Sequence, residues 1–343
     1  TVENVSTSVD NSLGVEVDND SAINNFSVGN ITPVSIGSGK TLSGTIGVTA
    51  GSIKLTDTGT LASTVEMSGG TLDADNSLTV SGALTQSGDI TIDVLDNQTL
   101  NYTGPPISLG SNTLSIDGAG TLSNASGSPL VLDQPDSMLH FISTGIVSGP
   151  VKLESGTLKS SGSPTISGAL TQFNNATIEV SAAQTLIYTG PSLSLGASTL
   201  SLSGGGTFAN TMSLVLDNAA SKLLLSSITV ENVSTSVDNS LGVEVENDST
   251  ITSLSVSNIT PVSIGSGKTL SGAIGVTAGS IKLTDTGTLA STIEMSGGTL
   301  DADNSLTVSG ALTQSGDITI DVLGNQTLIY TGPSLSLGAS TLS

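Results

Sequence analysis

Short runs in which apolar and polar residues alternate recur along the whole chain. Clear examples are Ser-Ile-Lys-Leu at 52–55 and Asp-Ile-Thr-Ile-Asp-Val at 89–94. A period of two is typical of β-strands that bury one face, whereas apolar residues at helical spacing are hard to find. Gly-Ser, Gly-Gly, Asp-Asn and Gly-Pro pairs separate the runs, and Gly and Asn adopt positive φ at little cost. The pattern predicts an all-β protein whose short strands are joined by tight turns.

Gly-rich corners recur at a nearly constant interval. They divide part of the chain into candidate coils at 53–69, 70–88, 89–110, 111–130 and 131–149. Each coil would contain about 17 to 22 residues, a length that suits a repeating unit stacked on its neighbours. The sequence therefore predicts a parallel β-helix, or β-solenoid, with coils about 4.8 Å apart. The pattern leaves the handedness open.

Two nested repeats indicate that the chain is an array. Residues 1–115 recur at 229–343, and 14 of the 115 aligned positions differ. An older repeat aligns 79–104 with 165–190, at an offset of 86. We therefore expect one continuous β-solenoid over 1–343. Its blocks are 1–54 (block B), 55–140 (block A1), 141–228 (block A2), 229–282 (copy of block B) and 283–343 (partial copy of block A1).

Composition favours a β-solenoid with a narrow core over other all-β folds. The chain has no Trp, four Phe, three Tyr and 41 Gly, and its mean hydropathy is +0.25. Disordered chains lack the many β-branched residues found here. A string of immunoglobulin-like sandwiches is the competing fold, but the strands predicted for this chain are too short and too rich in Gly for such sandwiches. Propellers are disfavoured because the Trp-Asp blade signature is absent.

Charge and cysteine content narrow the classes of partner. Twenty-nine acidic residues against seven lysines give a net charge of −22, which disfavours binding to nucleic acid. The acidity favours a soluble surface, with cation capture or repulsion between fibres as the functional alternatives. The absence of cysteine excludes disulfides and thiolate metal sites. No membrane span is expected, because no apolar run reaches about eighteen residues. The chain begins and ends inside a repeat, so we expect a segment of a longer protein.

Candidate catalytic groups are few. Catalysis by a hydrolase triad needs a base, and His140 is the single histidine. Its equivalent in the preceding block is Lys54, which argues against a fixed role. Tyr102, Tyr188 and Tyr330 occupy one repeated position and are expected to stack on or within the solenoid. We therefore expect no catalytic residue and no enzymatic activity.

Acidic turns are candidates for calcium, because a hard cation takes several oxygen ligands and an Asp-x-Asp turn can supply two. The candidate pairs are Asp18 with Asp20 and Asp73 with Asp75. The alternative is that both turns are only solvated, since the Gly-rich nonapeptide that binds calcium between coils is absent. No other cofactor is expected. Acceptor triplets for N-linked glycans, Asn-x-Ser/Thr, are frequent and include Asn4, Asn30, Asn97, Asn101, Asn124 and Asn175. The alternative is that many of these triplets arise by chance, because the chain is rich in Ser and Thr.

Two equivalent segments resemble a known class of repeats. Residues 107–124 (ISLGSNTLSIDGAGTLSN) and 193–210 (LSLGASTLSLSGGGTFAN) resemble the Gly-Thr-Leu-rich repeats of autotransporter passengers and filamentous-haemagglutinin-like surface adhesins. The resemblance extends over most of the chain and is one of composition. It implies a right-handed parallel β-helix, bacterial origin and export to the cell surface.

Fold and composition together predict a structural or adhesive role. Stacked coils pair their backbone groups along the axis, which gives a stiff element that can grow by duplication. We expect an extracellular repeat segment of a long fibre, stalk or filament at the cell surface. The alternative is the stalk of an adhesin that binds a host, a surface or neighbouring cells. Expected partners are further copies of the solenoid, end to end or laterally, or a covalent continuation of the chain.

Overall fold

A computed structural model describes residues 1–7, 9–10 and 13–335. Over these residues the chain is all-β, without a helix, and its parallel sheets stack as a β-solenoid of about 16 turns with roughly 20 residues per turn. The predicted fold class is confirmed. The turns group into two units, Thr1–Thr171 and Gln172–Ser343. The predicted block boundaries, and a single continuous solenoid over the whole chain, stay predictions.

Alternating apolar residues produce 43 strands in the described residues, and Gly-rich turns keep most of them short. In chain order they begin with β1 (Val2–Thr7), β2 (Val15–Val17), β3 (Ser21–Val28), β4 (Thr32–Ile36), β5 (Thr41–Val48), β6 (Ser52–Leu55), β7 (Thr60–Leu61), β8 (Thr64–Met67), β9 (Thr71–Ala74), β10 (Leu78–Val80), β11 (Leu84–Gln86), β12 (Ile90–Val94), β13 (Thr99–Tyr102), β14 (Ile107–Ser108), β15 (Thr113–Asp117), β16 (Thr121–Asn124), β17 (Leu130–Leu132), β18 (Met138–Phe141), β19 (Ile146–Val147), β20 (Val151–Leu153), β21 (Thr157–Ser160), β22 (Thr165–Ile166) and β23 (Leu170–Gln172). They continue with β24 (Ala176–Val180), β25 (Thr185–Tyr188), β26 (Leu193–Ser194), β27 (Thr199–Ser203), β28 (Thr207–Asn210), β29 (Leu214–Leu216), β30 (Lys222–Ser226), β31 (Thr229–Thr235), β32 (Gly242–Asn247), β33 (Ser249–Val256), β34 (Ile259–Ile264), β35 (Thr269–Val276), β36 (Ser280–Leu283), β37 (Thr288–Leu289), β38 (Thr292–Met295), β39 (Thr299–Ala302), β40 (Leu306–Val308), β41 (Leu312–Gln314), β42 (Thr319–Val322) and β43 (Leu328–Tyr330).

Strands of successive coils pair in parallel. In the first unit, β4, β6, β9, β12, β15, β18 and β21 stack to form what we call the ladder sheet. The second unit repeats this stack with β32, β34, β36, β39 and β42. The long strand β5 pairs with β7 through its first residues and with β8 through its last. The single strand β5 therefore covers two sides of its coil, whereas the next coil uses two separate strands for the same sides.

Inward-facing residues stack in apolar columns between the sheets. One column in the ladder sheet of the first unit runs through Ile53, Leu72, Ile92, Ile116 and Phe141. All five are at most 3% exposed. Full burial of such a side chain stabilises the fold by about 1.5–3 kcal/mol. Aliphatic side chains suffice because each coil encloses only a narrow interior.

A glycine with positive φ marks the point where β5 crosses from one side of the coil to the next. Gly44 has a φ of 114°, and a Cβ placed on it would lie 2.0 Å from the carbonyl oxygen of Ile23 in the coil below. The pairing of β3 with β5 is irregular at the same point. Only glycine permits this close approach of two backbones.

Individual coils differ in length because their corner loops differ. Lys54 contacts Asp73, 19 positions further on. Asp89 contacts Thr113, 24 positions further on, and Ser108 contacts Asp133, 25 positions further on. The mean of roughly 20 residues per turn matches the predicted period. The longer coils place their extra residues in turns, which leaves the strand register intact.

Candidate functional site

The ladder sheet carries a column of charged side chains on its outer face. Lys54 in β6 is registered with Asp73 in β9, Asp73 with Asp93 in β12, and Asp93 with Asp117 in β15. These four residues are called the charged column. They face outward because they alternate with the buried apolar residues of the same strands. The strand register therefore places three carboxylates on consecutive coils, which sequence spacing alone did not reveal.

Lys54 binds two carboxylates at one end of the charged column. Its Nζ lies 3.0 Å from Oδ2 of Asp75 and 3.4 Å from Oδ2 of Asp73. The hydrogen bond to Asp75 is the main reason that the pKa of Lys54 is raised, and partial burial opposes it. The ammonium group thus occupies the side of the Asp73–Asp75 pair that faces the coil below.

The three carboxylates of the charged column, on adjacent strands, affect one another's pKa values. Burial raises the pKa of Asp73 above 3.8; Lys54 opposes this shift, and the charges of Asp75 and Asp93 add to it. Burial also raises the pKa of Asp93, and the charge of Asp117 adds to the effect. Like charges on adjacent strands repel, so the column costs some stability when it is fully ionised.

The second unit repeats the arrangement. Lys282 Nζ lies 3.0 Å from Asp303 and 3.7 Å from Asp301. Asp301 is registered with Asp321, and burial followed by the charge of Asp303 raises the pKa of Asp301. The contact of one lysine with two aspartates is therefore present in both copies.

The two candidate calcium pairs have different surroundings in the structure. In the first pair, Asp18 and Asp20 are exposed, and Asp20 Oδ1 accepts the N–H of Thr41 at 3.0 Å. In the second pair, both Asp73 and Asp75 bind Lys54. Across residues 1–7, 9–10 and 13–335, no group of three or more carboxylates or imidazoles is placed to hold a metal ion. Calcium binding at either pair stays a prediction.

Acidic side chains at the corners have a role that the sequence analysis missed. Their oxygens accept backbone N–H groups of a neighbouring coil, and we call these contacts corner bridges. Asn175 takes the place of Asp89 in block A2 and accepts the equivalent bond, so an amide oxygen serves as well as a carboxylate. The corner bridges are Asp10 to Ile31 (3.0 Å), Asp20 to Thr41 (3.0 Å), Asp89 to Thr113 (2.7 Å), Asp133 to Gly110 (2.9 Å), Asn175 to Thr199 (2.8 Å), Asp217 to Gly196 (2.9 Å), Asp238 to Ile259 (2.9 Å) and Asp248 to Thr269 (2.9 Å).

Two of the three repeated tyrosines, Tyr102 and Tyr188, lie buried within the solenoid. Tyr102 is 1% exposed. Its hydroxyl donates to the carbonyl oxygen of Pro105 at 2.6 Å and accepts the N–H of Leu84 at 3.3 Å. Burial raises the pKa of Tyr102. Tyr188 stacks on Phe208 with ring centroids 6.2 Å apart. These rings fasten a corner to the core and are not a surface platform.

His140 lies on the outer face of β18, registered with Ser115 and Lys159. Its Nε2 is 2.9 Å from Ser161 Oγ. A separate open groove of about 350 Å³ crosses three coils of the second unit. Gly275, Glu294 and Thr313 are among its lining residues, and none of the lining residues is aromatic. Neither location combines a base, a nucleophile and an oxyanion donor in the way that acyl transfer requires.

None of the described elements is a long apolar helix of the kind that crosses a membrane. No protein-family model, no curated protein and no solved structure matches this chain.

Proposed function

We propose that this chain is a structural repeat segment of an extracellular fibre, stalk or filament, and that it has no catalytic role. The observation that supports this most is the pairing of successive coils. In each unit, parallel strands join every coil to the next, and the inward columns continue through the stack. Such a unit resists bending because each coil is fixed to its neighbours by hydrogen bonds and packing.

The distribution of acidic residues supports the same role. Seven aspartates accept corner bridges between coils, and each such hydrogen bond adds about 0.5–1.5 kcal/mol. The remaining acidic surface would keep neighbouring fibres apart. Cell-surface display in the manner of autotransporter passengers or filamentous-haemagglutinin-like adhesins is part of this proposal and rests on the compositional resemblance. An adhesin stalk is the variant in which another region supplies the binding tip.

An in-register deletion tests the structural role. Removing residues 79–164 joins Leu78 to Thr165, which occupies the position of Thr79 in the 86-residue repeat. The column Leu78, Leu100, Leu122, Val147 and Ile166 spans four coil steps. We expect a folded protein whose first unit is about 20 Å shorter along the axis of that unit, measured by electron microscopy, with an unchanged β-type circular dichroism spectrum.

A matched out-of-register deletion is the control. Removing residues 79–89 deletes about half a coil, so the strands that follow lose their partners and apolar faces turn outward. This variant should unfold or aggregate. Unfolding of the in-register variant, or images of separate round bodies in place of rods, would contradict the proposal. Surface location is tested separately, by antibody labelling of intact cells.

A further inference from the structure

Twelve asparagines stand in Asn-x-Ser/Thr triplets, and the structure separates them by the state of the carboxamide. A glycan acceptor must present its Nδ2 to the active site of a transferase, so a buried or hydrogen-bonded amide is a poor substrate. Asn124 is 4% exposed, and its Nδ2 donates to the carbonyl oxygens of Ser128 and Pro150. The triplets begin at Asn4, Asn19, Asn25, Asn30, Asn97, Asn101, Asn124, Asn175, Asn232, Asn247, Asn258 and Asn325.

Four triplets are retained in both copies of the 228-residue repeat, and only one of them has an unbonded Nδ2 in both copies within the described residues. Among the same residues, the other three have an unbonded Nδ2 in the first unit, at Asn4, Asn19 and Asn30, but a bonded one in the second unit. The bonded amides there are Asn232 Nδ2 to the Asn210 carbonyl oxygen, Asn247 Nδ2 to Ser226 Oγ and Asn258 Nδ2 to Ser257 Oγ. The fourth pair is Asn97 and Asn325. Within the described part of the chain, neither of their carboxamides makes a hydrogen bond, and both residues are exposed.

Asn97 and Asn325 lie at the tips of equivalent tight turns. The N–H of Gln98 donates to the Leu95 carbonyl oxygen at 3.0 Å and closes the first turn. The second turn is closed by Gln326 and Leu323 at 2.9 Å. The asparagines have φ angles of 61° and 68°. The threonine of each triplet follows two residues later, where the chain returns to the sheet.

The turn itself does not require asparagine. Asparagine is favoured at positive φ, so its presence at a turn tip has a purely conformational explanation. The equivalent residue in block A2 is Ala183, which has the same φ of 61°. Its segment Ala183-Gln184-Thr185 keeps the residues that follow but lacks the acceptor. The chain thus contains the same corner with and without an acceptor, which provides a built-in control.

We propose that Asn97 and Asn325 are N-glycosylation sites of this protein. The co-reactant is an activated sugar linked through a diphosphate to a nucleotide or lipid carrier, used by a separate transferase. Nδ2 forms a bond to the anomeric carbon of the sugar. The bond between that carbon and the carrier oxygen breaks, the diphosphate carrier leaves with the electron pair, and the amide gives one proton to a base of the transferase. The product is a glycan on an exposed corner, clear of the hydrogen bonds that join the coils.

Mass spectrometry of peptides from the protein, purified from the cells that naturally produce it, tests the sites. The peptides that contain Asn97 and Asn325 should carry at least one hexose or N-acetylhexosamine, and the peptide that contains Asn124 should carry none. Asn97→Ala should remove the sugar at that corner and leave folding unchanged, because Ala183 already occupies the same conformation. Thr99→Val should also remove it, whereas Thr99→Ser should retain it.

Unmodified Asn97 and Asn325 peptides from that source would overturn the assignment, as would a sugar that persists in the Thr99→Val variant. The result is independent of the proposed structural role. Electron microscopy of the same sample tests the structural role separately. A rod-shaped protein without a glycan would therefore refute only the proposed glycosylation sites.

Discussion

Replacement of Tyr102 by Phe removes a single hydroxyl from the interior of the first unit. That hydroxyl donates to the Pro105 carbonyl oxygen at 2.6 Å and accepts the Leu84 N–H at 3.3 Å. The Leu84 N–H has little access to water, since Leu84 is 3% exposed and Tyr102 1% exposed, whereas Pro105 is exposed. A buried group that loses its partner costs about 1–3 kcal/mol. We expect a loss of roughly 2 kcal/mol, because the buried Leu84 N–H is left without its acceptor.

Hydrogen exchange at Leu84 measures this loss locally. Stacked repeats open in parts, so a single melting temperature would mix several transitions. If exchange proceeds through opening of this corner, 2 kcal/mol corresponds to roughly 30-fold faster exchange in peptides that contain Leu84. Peptides from the second unit should be unaffected.

The second copy provides a matched control. Tyr330 makes the same bonds, to Pro333 at 2.5 Å and Leu312 at 3.2 Å, but it is only half-buried. Water can replace the lost hydroxyl there, so Tyr330→Phe should accelerate exchange at Leu312 much less. Equal effects at the two sites, or unchanged protection of Leu84 in Tyr102→Phe, would refute the reasoning that burial sets the cost.

Two further predictions concern the charged column and the crossing glycine. The folded-state pKa values of Asp73 and Asp93 are raised above 3.8, so the folded protein binds protons more readily than the unfolded chain, and this contribution to stability should increase as the pH falls from 7 towards 4. Hydrogen exchange in peptides that contain Asp93, corrected for the intrinsic rate at each pH, checks this in wild type and Asp93→Asn, since the variant should gain less protection on acidification; identical gains would contradict it. Gly44→Ala places a Cβ 2.0 Å from a backbone oxygen and should destabilise the first unit by more than about 1 kcal/mol, whereas Gly47→Ala, where nothing lies within 4 Å, should be neutral. Hydrogen exchange in peptides from β5 measures both effects, and equal exchange in the two variants would contradict the prediction.

Much of the fold followed from local pattern. The alternation in 89–94 predicted β12 (Ile90–Val94), and the alternation in 52–55 predicted β6 (Ser52–Leu55) with Ile53 and Leu55 inward. The repeated tyrosine was expected on or within the solenoid, and Tyr102 and Tyr188 are buried within it. These features depend on side-chain period and on turn residues, which are readable along the chain.

The contacts between coils could not be predicted in the same way. Asp73 and Asp75 were interpreted as a pair within one turn, but their main partner is Lys54 in the preceding coil. Asp89 was named only as the first polar residue of the alternating run 89–94, yet its Oδ1 accepts the N–H of Thr113 in the next coil. The length of each corner loop sets which residues become neighbours, and variation between coils makes that offset unreadable from a mean period.

The sequence by itself determined that short strands would alternate inward and outward and would repeat as stacked coils, because period-two burial and glycine turns act over a few residues. Only the tertiary structure decided the register between coils. Register aligned Lys54 with Asp73, Asp93 and Asp117, enclosed the hydroxyl of Tyr102, and left Asn97 exposed at a corner. It depends on the simultaneous fit of many distant backbone groups, and no local segment of the chain encodes that fit alone.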